Sequence, residues 1–116
     1  NLYKPVHQKH PCTLWAMQTR ANYRYAYDLY TCMLVEYTHR YGKIHGASKH
    51  KNALFFGSSY VPEGEQTPHP QCFSGLDHLK TDEQYPIKAY RAFYKADKLK
   101  FARYTKGRSM PEWMAA

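Results

Sequence analysis

Residues 20–41, RANYRYAYDLYTCMLVEYTHRY, set the architecture of the chain, because side chains suited to packing recur there every third or fourth position. This spacing places them on one face of an α-helix, covering about a third of its circumference. The repeating residues are Tyr23, Ala26, Tyr27, Tyr30, Met33, Leu34, Tyr37 and Tyr41. Thr19 in front of the stretch suits an N-cap, and Gly42 behind it suits a left-handed C-cap. The sequence therefore predicts one long amphipathic helix over residues 20–41.

Two shorter helices are expected on either side of this one. Pro11 suits a first helical position and His10 a position near the cap, so residues 11–17 form a short helix with Trp15 locked to the core. Residues 48–57 form another helix. That helix ends at a glycine, and the residues expected to face inward are Ala53, Leu54 and Phe55.

A second long amphipathic helix is predicted from Pro86 to about Thr105. Its inner face is expected to consist of Ile87, Tyr90, Phe93, Tyr94, Phe101 and Tyr104. The tail after it folds back to bury Trp113. Residues 58–83 contain three prolines and two glycines without a sustained period, so they read as a long ordered loop with at most one helical turn.

Length and composition predict a single all-α domain covering residues 1–116, the size at which one chain can bury its own core. The absence of an initiating Met at Asn1 indicates that the start was removed or that the chain is part of a longer one. No run of about 18 apolar residues is present, which predicts no membrane span. Three cysteines without framework spacing predict free, mostly buried thiols and a reducing compartment, the cytoplasm.

The net charge of +8 is unevenly distributed. Residues 61–83 carry five carboxylates and one lysine, whereas residues 84–110 carry eight lysines and arginines against Asp97 alone. A basic block of this density is typical of a protein that binds a polyanion. The expected outer face of the second long helix consists of Lys88, Arg91, Lys95, Lys98 and Lys106. Twelve tyrosines add rings that suit nucleobases. The alternative is a solvated helix face that only keeps the protein soluble.

Two carboxylates are candidate catalytic groups. Asp97 falls on the aromatic face of the second long helix, where an acid needs hydrogen bonds or a cation. A tyrosine hydroxyl, or an arginine from the 20–41 helix, would satisfy it without any catalytic role. Glu36 lies four residues before Arg40, so the two form either a helix-surface ion pair or one wall of a polar cleft whose other wall carries Asp97.

Further nucleic-acid contacts are predicted along the border of the first long helix and in the turn after it. Asn22 and Arg40 lie on that border, and RYGKIHG (40–46) adds Lys43 and His45. These groups either contact phosphates or complement the exposed carbonyls at the helix end. No metal site and no cofactor motif is expected, because the histidine and cysteine spacings are loose for zinc and no glycine-rich phosphate loop is present.

Several motifs occur together in an order that resembles a family of small phage and large-virus proteins labelled pyrimidine-dimer DNA glycosylase-like. These motifs are HPCTLW (10–15), Asn22-Tyr23, EYTHRYGKIH (36–45), Pro70-Gln71, AYRAFYKADK (89–98), FARYTK (101–106) and PEW (111–113). The chain resembles the C-terminal two thirds of that family, and a further segment rich in Asp, His and Lys is expected ahead of Asn1. Met17 and Gln18 stand where the family has an Arg-Glu pair. The resemblance implies a DNA-related, viral, all-α protein.

Three functions remain open from the sequence. The first is a DNA-interacting protein, in its sharpest form a repair glycosylase or lyase in which Asp97 or Glu36 polarises the reacting sugar. The second is a non-catalytic binding or assembly module that forms oligomers. The third is an enzyme acting on nucleotides.

Overall fold

The protein is all-α, as the sequence predicts. A computed structural model describes residues 2–73, 75–80 and 86–115, and these contain no strand. The α-helices of this part are α1 (Pro11–Gln18), α2 (Arg20–Tyr41), α3 (Lys51–Gly57), α4 (Ile87–Asp97) and α5 (Glu112–Ala115). Short 3-10 helices lie at Gly46–His50, Ser58–Tyr60, Asp77–Leu79 and Leu99–Phe101. Of the acidic loop residues, Asp82 and Glu83 lie outside the described residues. No helix in the described ranges is both long enough and apolar enough to span a membrane.

The caps at both ends of α2 confirm its predicted boundaries. The Thr19 hydroxyl accepts the N–H of Asn22 at 3.1 Å, which satisfies one of the unpaired donors at the helix start. Gly42 adopts φ +67°, and its N–H donates to the Thr38 carbonyl at 2.8 Å. Only glycine reaches this left-handed conformation without steric cost, so the helix stops here.

The chain divides into two compact units, Asn1–Thr67 and Pro68–Ala116. The expectation of one domain over residues 1–116 stays a prediction.

In the first unit, α2 is the helix on which the other elements pack. α1 packs against it, with the Trp15 and Tyr25 rings edge to face at 5.9 Å. His10 Nδ1 accepts the N–H of Cys12 at 3.0 Å, which confirms the predicted start of α1. The tyrosine face of α2 is narrower than predicted, because Met33 and Tyr41 are more than 60% exposed.

Three tyrosines of α2, one turn apart, anchor residues 46–57 through their hydroxyl groups. Tyr23 donates to the Leu54 carbonyl at 2.6 Å and Tyr30 to the Ala47 carbonyl at 2.5 Å. Tyr27, between them, donates to the Lys51 carbonyl at 3.3 Å. Because each phenol pairs with a backbone oxygen, these rings contribute both apolar contact and a satisfied polar tip. We refer to Tyr23, Tyr27 and Tyr30 as the tyrosine ladder.

In the second unit, α4 ends at Asp97, so the predicted continuation to Thr105 is wrong. The Lys98 N–H still donates to the Tyr94 carbonyl at 2.7 Å, but the Phe101 N–H donates to Lys98, only three residues back. The α-helical hydrogen-bond pattern thus ends after Asp97, and Leu99–Phe101 form a 3-10 helix instead. Lys106 and Gly107 then adopt left-handed φ values of 56° and 82°.

The buried face of α4 also differs from the predicted one. Ala89 is fully buried, whereas Ile87 and Tyr94, expected inside, are 50% and 46% exposed. The Phe93 ring stacks on Phe73 at 4.5 Å. The small side chain of Ala89 permits close packing on that side, which the pattern of large residues did not reveal.

Residues before and after α4 in the sequence both contact this helix. Tyr90 donates to the Pro70 carbonyl at 2.6 Å and accepts the Cys72 N–H at 2.8 Å. The tail folds back as predicted, because α5 packs on α4. Its buried residue, however, is Met114, and Trp113 remains partly exposed.

None of the three cysteines, all within the described residues, forms a disulfide, as predicted, but each is exposed rather than buried. Cys32 shows the reason, because it lies on α2 away from the tyrosine ladder, where Leu29 and Met33 are also exposed.

Candidate nucleic-acid interface

The predicted cationic residues of α4 share one face of the helix. Lys88, Arg91 and Lys95 follow one another at steps of three and four residues, and Lys98 caps the helix end. This spacing stacks Lys88, Arg91 and Lys95 along one line, on the opposite side from Ala89. We refer to Lys88, Arg91, Lys95 and Lys98 as the basic stripe.

Aromatic rings position two members of the basic stripe. The Arg91 guanidinium lies 5.2 Å from the centre of the Trp113 ring, and Lys98 Nζ lies 5.5 Å from the rings of Phe93 and Phe101. Cation–π contacts of this kind restrict a long side chain while leaving the edge of a guanidinium able to donate. The side chains of Arg91 and Lys98 are therefore already restricted in conformation before a ligand binds.

Asp97 is half-exposed and paired with its sequence neighbour. Its Oδ2 lies 3.0 Å from Lys98 Nζ, and the two side chains are 40% and 38% exposed respectively. Neither a tyrosine hydroxyl nor an arginine of α2, the two partners considered from the sequence, supplies this contact. An ion pair this open to solvent contributes about 1 kcal/mol at most.

Glu36 and Arg40 form the predicted ion pair on α2. Arg40 Nε donates to Glu36 Oε2 at 2.6 Å, and the side chains are about one third exposed. The two candidate catalytic carboxylates thus lie in different units, and each has a cation from its own helix or helix end as a partner. Their catalytic assignment stays a prediction.

The turn after α2 contains one exposed lysine and one imidazole with a local structural role. Lys43 is exposed. His45 Nδ1 accepts the N–H of Ala47 at 3.0 Å and so caps the following 3-10 helix, while its ring lies 4.7 Å from Tyr37. His45 therefore orders the turn.

Asn22 does not lie at a surface, which corrects its assignment as a nucleic-acid contact. It is 0% exposed. Its Nδ2 donates to the Trp15 carbonyl and to the Thr67 hydroxyl, both at 2.9 Å, and its Oδ1 accepts the Thr67 N–H at 2.9 Å. Every hydrogen-bonding atom of the amide is used, because a buried amide without partners is costly. Asn22 joins α1, α2 and residue 67.

An arginine that sequence reasoning did not single out joins the start of α2 to the residues that follow α3. Arg20 donates to the carbonyls of Ser58 and Val61, both at 3.1 Å, and pairs with Glu63 at 3.0 Å. No local pattern indicates these partners, which lie about 40 residues away in sequence. Beside Arg20 is an open groove of about 510 Å³, lined by Arg20, Ala21, Arg24, Tyr25, Asp28, Glu63, Gly64 and Gln66.

A second surface missed from the sequence consists of exposed rings. Phe55, expected to face inward, is 58% exposed, and Phe56 and Tyr60 are 68% and 88% exposed. The inward prediction for Leu54 is also wrong, since it is 38% exposed. The tyrosine ladder binds the backbone carbonyls of this segment, and the Phe55 ring meets Tyr27 edge to face at 5.9 Å, yet most of both phenyl groups remains exposed.

Burial shifts the pKa of three described groups. It raises the pKa of Tyr23 and of Tyr30, with a smaller contribution from Tyr27. Burial lowers the pKa of His69, whose ring lies 5.4 Å from Tyr90. Each shift favours the neutral form.

No protein-family model, curated protein or solved structure matches this chain at a significant level. The resemblance to the pyrimidine-dimer glycosylase-like family stays a prediction. Function therefore has to be inferred from the chain's own residues.

Proposed function

We propose that this protein binds DNA, and that the basic stripe of α4 supplies the principal phosphate contacts. The observation that carries the proposal is the alignment of Lys88, Arg91 and Lys95 on the solvent side of α4. The opposite side of the helix contains Ala89, which is fully buried. Cations arranged in a line, rather than scattered among carboxylates, match the regular charges of a phosphate backbone.

The length of the basic stripe fits a DNA strand. Ten residues separate Lys88 from Lys98, which corresponds to about 15 Å at 1.5 Å per residue. Phosphates of one strand advance about 3.4 Å each along the duplex axis. The stripe therefore spans about four phosphate steps, a number similar to that of its cations.

The residues that follow α4 extend the same charge. Lys100, Arg103, Lys106 and Arg108 come after the stripe, and residues 98–111 contain no carboxylate. The proposal includes no catalytic step, because Glu36 and Asp97 each lie within about 3 Å of a cation of their own unit. Phosphate contacts alone orient DNA without reading its sequence.

The salt dependence of binding tests this proposal. Fluorescence anisotropy with a labelled 20-base-pair duplex, between about 50 and 300 mM KCl, should give a log–log slope of about −3 to −4 if four phosphates are neutralised. The double variant Lys88→Gln/Lys95→Gln should reduce the magnitude of that slope by about 2. The matched control is Lys4→Gln/Lys9→Gln, which removes the same charge from exposed residues of the first unit.

The comparison between the two variants decides the outcome. If both change the slope equally, only net charge matters and the stripe is not the contact surface. If the wild-type protein shows no salt-sensitive binding at 50 mM KCl, the proposal is wrong. Circular dichroism should show the same helix content in both variants, because all four lysines lie outside the buried core.

A further inference from the structure

A second surface, in the first unit, combines exposed aromatic rings with lysines. Phe55, Phe56 and Tyr60 lie within six residues of one another at the end of α3 and in the following 3-10 helix. Their exposed fractions are 58%, 68% and 88%. Isolated exposed apolar residues are ordinary, but neighbouring exposed rings indicate a binding surface. We refer to these three residues as the aromatic surface.

The helix that carries the first two of these rings is firmly held. Tyr23 and Tyr27 donate to the Leu54 and Lys51 carbonyls, and a Cβ atom added at Gly57 would collide with the Tyr23 hydroxyl. The Phe55 ring packs edge to face against Phe56 at 5.2 Å. A ring on an anchored backbone loses little conformational freedom when a ligand stacks on it.

Lysines precede the aromatic surface in the sequence, and the exposed carboxylate that follows it, Glu63, is paired with Arg20 at 3.0 Å. Lys43, Lys49 and Lys51 are all exposed, and residues 42–62 contain no carboxylate. A partner for this surface therefore needs flat, unsaturated groups next to negative charges. Unpaired nucleobases on a phosphate backbone have this chemistry, because every base offers a face for stacking.

We propose that the aromatic surface binds single-stranded nucleic acid, with Phe56 and Tyr60 stacking on unpaired bases and Lys49 and Lys51 contacting the adjacent phosphates. An anionic membrane is the less fitting partner. α3 has only seven residues, and Ser58 and Ser59 separate the phenylalanines from Tyr60. An interfacial helix needs a longer continuous apolar face.

This site is independent of the basic stripe, because it lies in residues 49–60 of the first unit and depends on stacking as well as charge. The two sites therefore respond differently to substitution. Loss of the stripe's lysines weakens binding of both duplex and single strand, whereas loss of the rings weakens binding of the single strand alone.

The test measures the affinity of the full chain for a twelve-nucleotide oligo-dT and for a duplex of the same length, by anisotropy at about 150 mM KCl. Phe56→Ala/Tyr60→Ala should raise the Kd for oligo-dT about thirtyfold or more, because each lost stack corresponds to a factor of at least about five and two rings are removed. The Kd for the duplex should stay within about twofold. Phe56→Trp/Tyr60→Trp should restore oligo-dT binding, since a larger ring also stacks.

Ile44→Ala is the matched control, because Ile44 is an exposed apolar residue of the same unit, 76% exposed, without a ring. It should leave the oligo-dT Kd unchanged. The proposal is overturned if the ring variant binds oligo-dT as the wild type does, or if Ile44→Ala weakens binding equally. It is also overturned if the ring variant loses binding to phosphatidylserine vesicles while retaining oligo-dT, which would identify a membrane surface.

Discussion

Removing one hydroxyl from the tyrosine ladder should loosen the anchored segment by a predictable amount. In Tyr30→Phe the ring remains, but the Ala47 carbonyl loses its 2.5 Å donor. A hydrogen bond of this kind contributes about 1 kcal/mol to the free energy of unfolding. Tyr23→Phe, which removes a 2.6 Å contact with Leu54, should cost about the same. The two hydroxyls lie about 10 Å apart along α2, so the double variant should lose about 2 kcal/mol.

Urea denaturation followed by circular dichroism measures these differences, and hydrogen exchange of residues 46–57 locates them. Tyr41→Phe is the control, since Tyr41 lies on the same helix but is 63% exposed, and its effect should be below about 0.5 kcal/mol. If Tyr30→Phe costs no more than Tyr41→Phe, the ladder is not what anchors the segment.

High pH should act on the same contacts. Burial raises the pKa of Tyr23 and Tyr30 in the folded chain above the unfolded value of about 10. The unfolded chain therefore releases these protons first, so this contribution to stability is complete below pH 10 and is lost as the pH rises through the folded pKa values. The double Phe variant should show a smaller alkaline loss.

Two other substitutions have equally direct readouts. Asn22→Ala leaves the Trp15 carbonyl, the Thr67 hydroxyl and the Thr67 N–H without their partner in a fully buried site, so it should lower the free energy of unfolding by about 3 kcal/mol in urea titrations. The exposed Asn52→Ala should cost less than about 0.5 kcal/mol, and equal effects would contradict the role given to Asn22. Burial lowers the pKa of His69, so the unfolded chain takes up its proton first, and stability should fall as the pH drops from about 6.5 towards the folded pKa. His69→Gln should flatten that pH profile in thermal melts, whereas exposed His78→Gln should not.

The sequence predicts most reliably what local patterns determine. α2 was located to the residue, because Thr19 and Gly42 cap it with groups whose conformational preferences are strong. The end of α4 was missed because its length was extrapolated from the spacing of Phe101 and Tyr104, whereas the chain turns into a 3-10 helix at Leu99–Phe101.

Contacts across long sequence separations were not predictable. Asn22 was expected to lie at the polar border of α2. Its hydrogen-bonding partner Thr67 is 45 positions away in sequence, and the amide of Asn22 is therefore buried rather than exposed. Phe55 was expected in the core, but its ring contacts α2 only through the edge of Tyr27, at 5.9 Å, and stays 58% exposed, while backbone carbonyls of its segment accept the tyrosine hydroxyls. Lys88, Arg91 and Lys95 share one face of α4 as predicted, since helical periodicity alone places them there, but Lys106, also expected on that face, lies beyond the end of the helix.

The bonds at Thr67 have a consequence for synthesis of the chain. Its carbonyl accepts from Trp15 Nε1 at 2.9 Å and its N–H donates to Asn22, so the last residue of the first unit closes back on the α1–α2 junction near its beginning. A nascent chain that has left the ribosome only as far as α3 still exposes the Asn22 amide without its Thr67 partners. The first unit therefore cannot form all of its native contacts in step with translation, because these hydrogen bonds form only after residue 67 has left the ribosome.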